Sequence, residues 1–311
     1  MPELPEVEVI RAGLAQAIDG SRVVGVEVRD PRALKRHRIA AAHPAEISAV
    51  VDFETLVVGA RLSMPARRGK FLWIPIEDSP AGLVRTALLA HLGMSGQLLL
   101  RTPEQPDDRH VRVRLWVENP QHGELRLDFA DQRLFGSLAI DELVPTPDGA
   151  PGGRGSPLAA IPSQAAHIAR DPLDPAFPDA AFFAALRRRS ISIKKALLDQ
   201  GLVSGVGNIY ADEALWLARI HPETPASALS TSKATALLEA VRDVFTRALV
   251  EGGTSFDRLY VNVNGESGYF AHSLNAYGRT GKPCPRCGTA IKRIAFANRG
   301  SHFCPRCQRR R

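Results

Sequence analysis

The sequence predicts an α+β protein with an N-terminal β-sandwich domain, a C-terminal helical domain and a small zinc-ribbon finger. Through much of the first half of the chain, apolar residues alternate with polar ones, a pattern typical of half-buried strands. In the second half they recur every three or four residues, which is typical of amphipathic helices. All four cysteines lie near the C-terminus, in two pairs.

The first half of the chain is predicted to begin with a helix over 5–20. Pro5 suits a first helical turn, and Gly20 can end the helix. Strand patterns follow at 24–28, 70–76, 84–100, 111–117 and 125–129. Because no regular helices separate these strands, we expect an antiparallel sandwich or barrel.

A Pro- and Gly-rich stretch at 141–163 predicts a linker, after which the pattern becomes helical. The helical segments are 179–189, 191–201, 208–219 and 229–251. A Gly- and Asn-rich loop at 252–268 then leads to the cysteines. The predicted domains are therefore 1–140 (β-sandwich), 164–270 (helical, including this loop) and 271–311 (zinc finger).

Positive charge is concentrated at the C-terminus. No Asp or Glu follows Glu266, whereas ten of the 40 Lys and Arg residues do, so the remaining 30 stand against all 33 acidic residues. The net charge of +7 therefore comes entirely from this last segment. Such concentration is typical of a protein that binds a polyanion, nucleic acid first among them. A solvated basic tail is the alternative.

The cysteines form two Cys-x2-Cys pairs, Cys284 with Cys287 and Cys304 with Cys307. Two such pairs offer the four thiolates that Zn²⁺ prefers in a closed, structural site. Disulfides are the weaker alternative, because we expect a cytoplasmic protein. The residues between the pairs predict a hairpin of 291–296 and 301–303, with Arg299 at its tip facing a groove or a phosphate. A ribbon alone indicates little, since many ribbons only bind proteins.

Four more motifs accompany the ribbon: MPELPEVE at 1–8, RRGK at 67–70, HLGMSG at 91–96 and GVGNIYADE at 205–213. With YGRTGKPCPRCG and NRGSHFCPRCQ inside 277–308, they resemble, in order, the bacterial formamidopyrimidine-DNA glycosylase branch of the Fpg/Nei family. The resemblance covers nearly the whole chain. It implies an enzyme that excises oxidised purines from duplex DNA and then cuts the strand, with one structural zinc ion and a helix–two-turn–helix motif in the helical domain.

The resemblance implies covalent catalysis by Pro2 after removal of Met1. A terminal secondary amine can attack the sugar C1′ and form a Schiff base, and elimination then breaks the strand. An ordinary α-amino group has a pKa of about 7.7–8.0, so part of it is unprotonated at neutral pH. Glu3 matches the family's general acid/base. Glu6 also matches, or it only complements the dipole of the first helix.

Further residues match the family's contacts to DNA. Two of them belong to the catalytic set. Lys70 corresponds to a phosphate contact or proton donor, and Arg299 corresponds to a phosphate contact that acts in δ-elimination. The other DNA-binding matches are His91, Met94, Arg133, Phe135, Lys194 and Asn208. Asn208 can also cap the helix predicted over 208–219. Met94, Arg133 and Phe135 correspond to side chains that fill the gap left by a flipped-out base. The alternatives are a surface lysine at 70, a core histidine at 91 and ordinary core packing for Met94 and Phe135.

Two features depart from the family pattern. Leu134 stands where Arg or Lys is common, which removes one phosphate contact. The loop 252–270, which folds over the extruded base in relatives, is one residue longer than the pattern. We therefore assign no lesion-reading residue in that loop.

Three other functions remain as alternatives. One is the sister branch that prefers oxidised pyrimidines, the second is a non-catalytic damaged-DNA-binding protein, and the third is a zinc-ribbon RNA-binding factor. The last explains the tail but not the first 210 residues. No run approaches the roughly 18 apolar residues of a membrane helix, and the acidic N-terminus does not match a secretory signal. We expect a cytoplasmic, nucleoid-associated monomer that does not contact membranes.

Overall fold

A computed structural model of the protein describes residues 2–38, 48–82, 84–253, 263 and 270–310. The chain forms two compact units. Of the described residues, the first unit contains Pro2, residues 6–167 and Val263, and the second contains residues 3–5, 168–253 and 270–310. The predicted domain boundaries stay a prediction.

The first unit is built mainly from strands. Its helices are α1 (Leu4–Ile18), whose first residues count with the second unit, and α2 (Ala49–Val57). Its strands are β1 (Arg22–Val28), β2 (Arg61–Leu62), β3 (Ala66–Arg68), β4 (Phe71–Asp78), β5 (Thr86–His91), β6 (Gly96–Arg101), β7 (Val111–Asn119), β8 (Gly123–Asp131), β9 (Ser137–Pro145) and β10 (Ala160–Pro162).

These strands pair antiparallel along one path, β10-β9-β5-β4-β2-β1-β7-β8-β6, with β3 beside β4. Buried residues from both ends of the path, such as Leu88 on β5 and Leu127 on β8, belong to one hydrophobic core. The sheet is therefore folded over itself around that core, and Leu14 of α1 packs into it. This confirms the predicted β-rich N-terminal sandwich.

The stretch 141–163, interpreted as a linker, is part of the sheet. β9 extends to Pro145, and β10 pairs with it in the register Ala160–Pro145, Ile161–Val144 and Pro162–Leu143. The intervening turn folds back, and Gly153 lies so close to Arg67 that a Cβ would come 2.4 Å from its carbonyl oxygen. The glycines and prolines mark a tight turn at the sheet edge, so the linker interpretation is wrong.

The second unit contains four helices in its described residues: α3 (Asp179–Arg187), α4 (Ile193–Leu198), α5 (Asn208–Leu217) and α6 (Thr231–Val250). Each lies within a segment predicted to be helical. Their apolar faces share one core, in which Tyr210 of α5 contacts Phe245 of α6 with ring centroids 5.4 Å apart. Within the described ranges, none of the helices combines the length and the apolar character that crossing a bilayer requires.

The C-terminal ribbon is a hairpin of β11 (Lys292–Phe296) and β12 (Arg299–Phe303). Phe296 pairs with Arg299, so the connection is only Ala297-Asn298, two residues shorter than predicted. Ala297 takes a positive φ of 47°, which lets the backbone reverse within this short turn. The hairpin is confirmed, and Arg299 lies at its tip.

Candidate functional site

The Glu3 carboxylate caps helix α5, which begins 205 positions further along the chain. It accepts hydrogen bonds from the backbone N–H groups of Gly207 at 2.7 Å, Ile209 at 2.9 Å and Tyr210 at 3.4 Å. Only 2% of Glu3 is exposed. A helix N-terminus carries unpaired N–H groups and a partial positive charge, so it holds a carboxylate in one orientation. Glu3 is thus a fixed acceptor.

Two glycines make this arrangement possible. A Cβ on Gly207 would lie 2.2 Å from the Glu3 Cδ atom, so no side chain fits there. Gly205 has a φ of +87°, and its carbonyl accepts a hydrogen bond from the Leu4 N–H at 3.1 Å. Asn208, interpreted as the cap of α5, is the first residue of the helix and does not cap it; Glu3 supplies the cap instead.

Asn208 and Arg299 lie on neighbouring segments. The Asn208 side-chain amide donates to the Gly300 carbonyl at 3.2 Å, directly after Arg299 at the hairpin tip. A Cβ on Gly300 would fall 2.2 Å from the Nε atom of Arg293, whose exposed side chain can shift to make room. The structure therefore brings Glu3, Asn208 and Arg299 to the same end of α5.

Lys194 does not have the exposure that a phosphate contact needs. Its side chain has no exposed surface, and its Nζ atom donates to Asp212 at 2.6 Å and to the Gly300 carbonyl at 3.3 Å. Asp212 also accepts from Ser301 Oγ and from the N–H of His302. Lys194 thus joins α4, α5 and the hairpin, and its interpretation as a direct phosphate contact is corrected to a structural role.

Replacing Lys194 by Met is expected to lower the free energy of unfolding by about 3–5 kcal/mol, because Asp212 would keep a buried charge without its partner. Lys195→Met is the matched control, since Lys195 is exposed on the same helix; we expect a change within about 0.5 kcal/mol. Urea unfolding measures both. If Lys194→Met is as stable as the wild type and its DNA binding depends less on salt, Lys194 contacts a phosphate after all.

In the first unit, Lys70 lies in the turn before β4, and His91 is the last residue of the adjacent strand β5. Lys70 directly precedes Phe71, which pairs with His91 across β4 and β5, and the Phe71 and His91 rings have centroids 4.9 Å apart. Arg67 fixes the turn before Lys70: it is buried, pairs with Glu8 at 2.7 Å and donates to the Gly69 carbonyl. The RRGK motif therefore combines an internal arginine with a lysine at the turn.

Burial, together with the positive charges of Arg36, Lys70 and Lys35, lowers the pKa of His91 to about 4. The ring is therefore neutral at neutral pH. Its Nδ1 atom accepts from the Gly93 N–H at 3.2 Å, which places the ring proton on Nε2. His91 can thus donate one hydrogen bond from Nε2 in a strongly positive environment.

Asp131 joins two turns: the HLGMSG turn, which carries Met94, and the DQRLFG turn at 131–136, which carries Phe135. Its carboxylate accepts from Ser95 Oγ at 2.5 Å, from the Arg133 N–H at 3.1 Å and from the Gly136 N–H at 2.7 Å. The Arg133 guanidinium lies 4.9 Å from the Phe135 ring centroid, and Phe135 is 46% exposed. Phe135 is thus an exposed aromatic ring on a turn held by hydrogen bonds. The alternative of core packing does not apply to it.

The four cysteine Sγ atoms lie within 4.8 Å of one another, and Cys284 and Cys304 are buried. The Trp216 indole N–H points at the Cys284 sulfur at 3.4 Å, and the Arg286 guanidinium lies 4.1 Å from the Trp216 ring. Four sulfur atoms this close match the tetrahedral coordination of Zn²⁺, with Zn–S distances of about 2.3 Å.

Family models match three parts of the chain. They are the formamidopyrimidine-DNA glycosylase N-terminal domain over residues 1–138, the H2TH domain of the same enzymes over 168–258, and a zinc finger found in FPG and IleRS over 281–310. The chain belongs to the formamidopyrimidine-DNA glycosylase family. The cysteine cluster is accordingly the structural zinc site of this family's finger, and helices α3 to α6 lie within its H2TH domain.

Relatives match along their whole length. The chain is 60% identical over 309 residues to a formamidopyrimidine-DNA glycosylase of Leifsonia xyli subsp. xyli, covering 99% of this chain and 100% of the relative. A formamidopyrimidine-DNA glycosylase of Salinispora arenicola is 53% identical, with 100% and 97% covered.

Solved structures of Lactococcus lactis Fpg share the fold. A complex of that protein with DNA containing an abasic site has a TM-score of 0.78 and 30% identity, and covers 99% of this chain and 100% of its own. A complex with Fapy-dG-containing DNA has a TM-score of 0.77, with the same identity and coverage.

The remaining predicted features of the formamidopyrimidine-DNA glycosylase family are the N-terminal residues and the loop 252–270. Pro2 is buried and Glu6 lies, buried, in the first turn of α1. Met1 and most of the loop 252–270, which is predicted to cover the extruded base, lie outside the described residues. The sequence did not predict that Asp131 and Asp212 organise their surroundings, although Asp212 stands inside the GVGNIYADE motif. The partners of a carboxylate cannot be read from a motif alone.

Removal of zinc is expected to unfold the finger, because its binding supplies about 10–16 kcal/mol in comparable small domains. Loss of the Cys284 thiolate changes the surroundings of Trp216, so its fluorescence should change as a chelator is added. DNA affinity should fall at least about tenfold because Arg299 belongs to the same hairpin. The variant Trp216→Phe shows whether the fluorescence change comes from Trp216. Unchanged DNA affinity in the metal-free protein would contradict the prediction.

Proposed function

We propose that the protein is a bifunctional DNA glycosylase and AP lyase of base excision repair, which removes 8-oxoguanine and formamidopyrimidines from duplex DNA. The observation that carries the proposal is the Glu3 carboxylate, held by three backbone N–H groups of α5 and directly following the proline that Met1 removal would expose. Membership of the family and the DNA complexes of Lactococcus lactis Fpg support it.

Pro2 is the nucleophile in this proposal. Its nitrogen forms a bond to the sugar C1′ as the glycosidic bond breaks, and the base leaves with the electron pair and takes a proton. The deoxyribose ring opens at O4′, which leaves an iminium ion between C1′ and the Pro2 nitrogen. The iminium acidifies C2′, so loss of a proton there expels the 3′ phosphate. The conjugated iminium that remains acidifies C4′, and loss of a proton from C4′ expels the 5′ phosphate.

Glu3 transfers protons in the proposal. Its oxygens act as acceptors towards α5, so the resting side chain is arranged to stabilise positive charge developing at C1′ and to accept a proton. A proton taken up in this way can be passed to O4′ during ring opening. The α5 N–H groups keep the carboxylate in place through both steps.

The remaining residues hold the DNA. Lys70 and the His91 Nε2–H are proposed to bind a phosphate next to the lesion, and Arg299 with Asn208 another. Arg299 is also proposed to favour the second elimination by binding the leaving phosphate. Met94, Arg133 and Phe135 are proposed to fill the gap left by the extruded base. The Asp131 bridge, which joins their two turns, supports this role.

Borohydride trapping on an 8-oxoguanine duplex tests the proposed chemistry. Borohydride reduces an iminium to a stable amine, so the processed protein should become covalently attached to the DNA, whereas a form that retains Met1 should not. Binding without any adduct from processed protein would favour the non-catalytic damaged-DNA-binding alternative. Mass spectrometry of each preparation establishes whether Met1 is present.

Excision rates separate the proposal from the pyrimidine-specific sister branch. Duplexes that contain 8-oxoguanine or thymine glycol are compared under single-turnover conditions. Faster release of 8-oxoguanine is expected. A preference for thymine glycol would assign the chain to the sister activity while leaving the Pro2 chemistry intact.

We further propose that the protein acts as a cytoplasmic, nucleoid-associated monomer. Duplex DNA as partner is supported by the complexes of the Lactococcus protein. Light scattering of the protein alone and on a short damaged duplex tests the monomer; a two-to-one complex would overturn it.

A further inference from the structure

A cavity of about 540 Å³ lies between the C-terminal end of α5, the start of α6 and the second cysteine knuckle. Four cations line it: Arg219, Lys233, Arg306 and Arg309. Among the residues that the structure describes, no acidic side chain lines it. Its floor is apolar, formed by Ile220, which is 4% exposed, and by Leu229. The cavity therefore combines a cationic rim with an apolar base.

The rim cations are available to a ligand. Among the residues that the structure describes, Arg219, Arg306 and Arg309 make no ion pair with a carboxylate. Their neighbour Arg310, by contrast, pairs with Glu223 at 3.3 Å and does not line the cavity. Like charges placed together without counter-charges repel one another, so an anionic occupant would relieve that repulsion.

The cavity walls are fixed relative to each other. Gln308 is fully buried; its side-chain amide donates to the Ile220 carbonyl at 2.9 Å and accepts from the Cys304 N–H at 2.8 Å. The Lys233 ammonium donates to the Ala218 carbonyl at 3.3 Å. The zinc knuckle, the end of α5 and the start of α6 are thus joined by hydrogen bonds around the cavity.

The cavity lies away from the proposed DNA-binding residues of this unit. Glu3, Asn208 and the hairpin tip belong to the N-terminal end of α5, whereas Arg219 and Ile220 follow its C-terminal end. Ten helical residues separate the two ends, a distance of about 15 Å. A phosphodiester backbone also gains nothing from an apolar floor, whereas a peptide can place a side chain there.

We propose that this cavity is a docking site for an acidic segment of a partner protein, one that carries carboxylates beside an apolar side chain. Arginine clusters recognise acidic motifs through charge-assisted hydrogen bonds, and the apolar floor receives the neighbouring side chain. The site would couple the enzyme to other proteins without occupying its DNA-binding residues.

The test uses the zinc-loaded full-length protein and a short fluorescein-labelled peptide of Asp and Glu that ends in Phe. Fluorescence anisotropy should show saturable binding that weakens as salt increases. Arg219→Glu and Arg306→Glu should each weaken it about tenfold or more, because each turns an attraction into a repulsion. Arg109→Glu makes the same charge change at an exposed site of the first unit and should leave binding intact.

Peptide specificity and DNA cleavage complete the test. A peptide with Asn and Gln in place of Asp and Glu should not bind, and replacing Phe by Ser should weaken binding. Excision of 8-oxoguanine and zinc content should stay at wild-type levels in Arg219→Glu and Arg306→Glu. The proposal would be overturned if the peptide does not bind, or if it binds these variants as well as the wild type. It would also be overturned if the variants lose affinity for undamaged duplex to the same extent, because the cavity would then belong to the DNA-binding surface.

Discussion

Glu3→Gln is expected to slow excision of 8-oxoguanine by about 10²–10⁴-fold, the usual contribution of a positioned acid or base. The amide is nearly the same size, but it carries no negative charge to stabilise the developing positive charge at C1′ and cannot take up the transferred proton. Its NH₂ group would also face a helix N-terminus that only donates hydrogen bonds. Single-turnover kinetics measure the loss.

Stability and DNA affinity separate the chemical effect of Glu3→Gln from a structural one. Loss of one or two helix-capping bonds should cost about 1–3 kcal/mol of unfolding free energy, which leaves the protein folded. Affinity for a duplex with a stable abasic analogue should change little, since Asn208 and Arg299 are retained. Excision within tenfold of the wild type would remove Glu3 from the mechanism and leave it as a helix cap.

Gly207→Ala is expected to reduce excision nearly as strongly, although residue 207 takes no part in the chemistry. The new Cβ would lie 2.2 Å from the Glu3 Cδ atom and 2.4 Å from its Oε1 atom, so the carboxylate must leave its place. Overpacking of this kind costs about 1–3 kcal/mol of stability. Thermal unfolding and single-turnover excision measure the two effects.

Gly201→Ala is the matched control for Gly207→Ala. Gly201 lies in the same turn region, and the nearest atom to a Cβ there is Asp199 Oδ1 at 3.3 Å, on an exposed side chain that can shift. Combining Gly207→Ala with Glu3→Asp should recover part of the lost stability, because the shorter side chain makes room. Strict additivity of the two changes would show that the clash is not between these two residues.

The sequence predicted most of the helices and strands because their signals are local. Alternation and three- to four-residue spacing report how a segment buries one face, so β1, β7, β8 and the four helices of the second unit were found. α2, over Ala49–Val57, was missed because nine residues carry too weak a pattern. The edge strand β10 was missed because the prolines and glycines of the turn before it resemble those of a linker.

Other errors concern partners rather than patterns. Lys194 sits in a sequence that suits a surface contact, yet Asp212 and Gly300, from distant segments, enclose it completely. Asn208 has the residue type of a helix cap, yet Glu3 supplies the cap from the other end of the chain. A single side chain does not reveal which distant groups will compete for it.

The sequence by itself determined the zinc site, the order of the motifs, the Pro2–Glu3 pair and the concentration of positive charge, because each depends on residue type and short spacing. Only the tertiary structure decided what holds Glu3, that Asp131 joins the two turns bearing Met94 and Phe135, and that Arg219 and Arg306 share one cavity. These contacts join residues far apart in the chain, and packing and burial, which no local pattern encodes, bring them together.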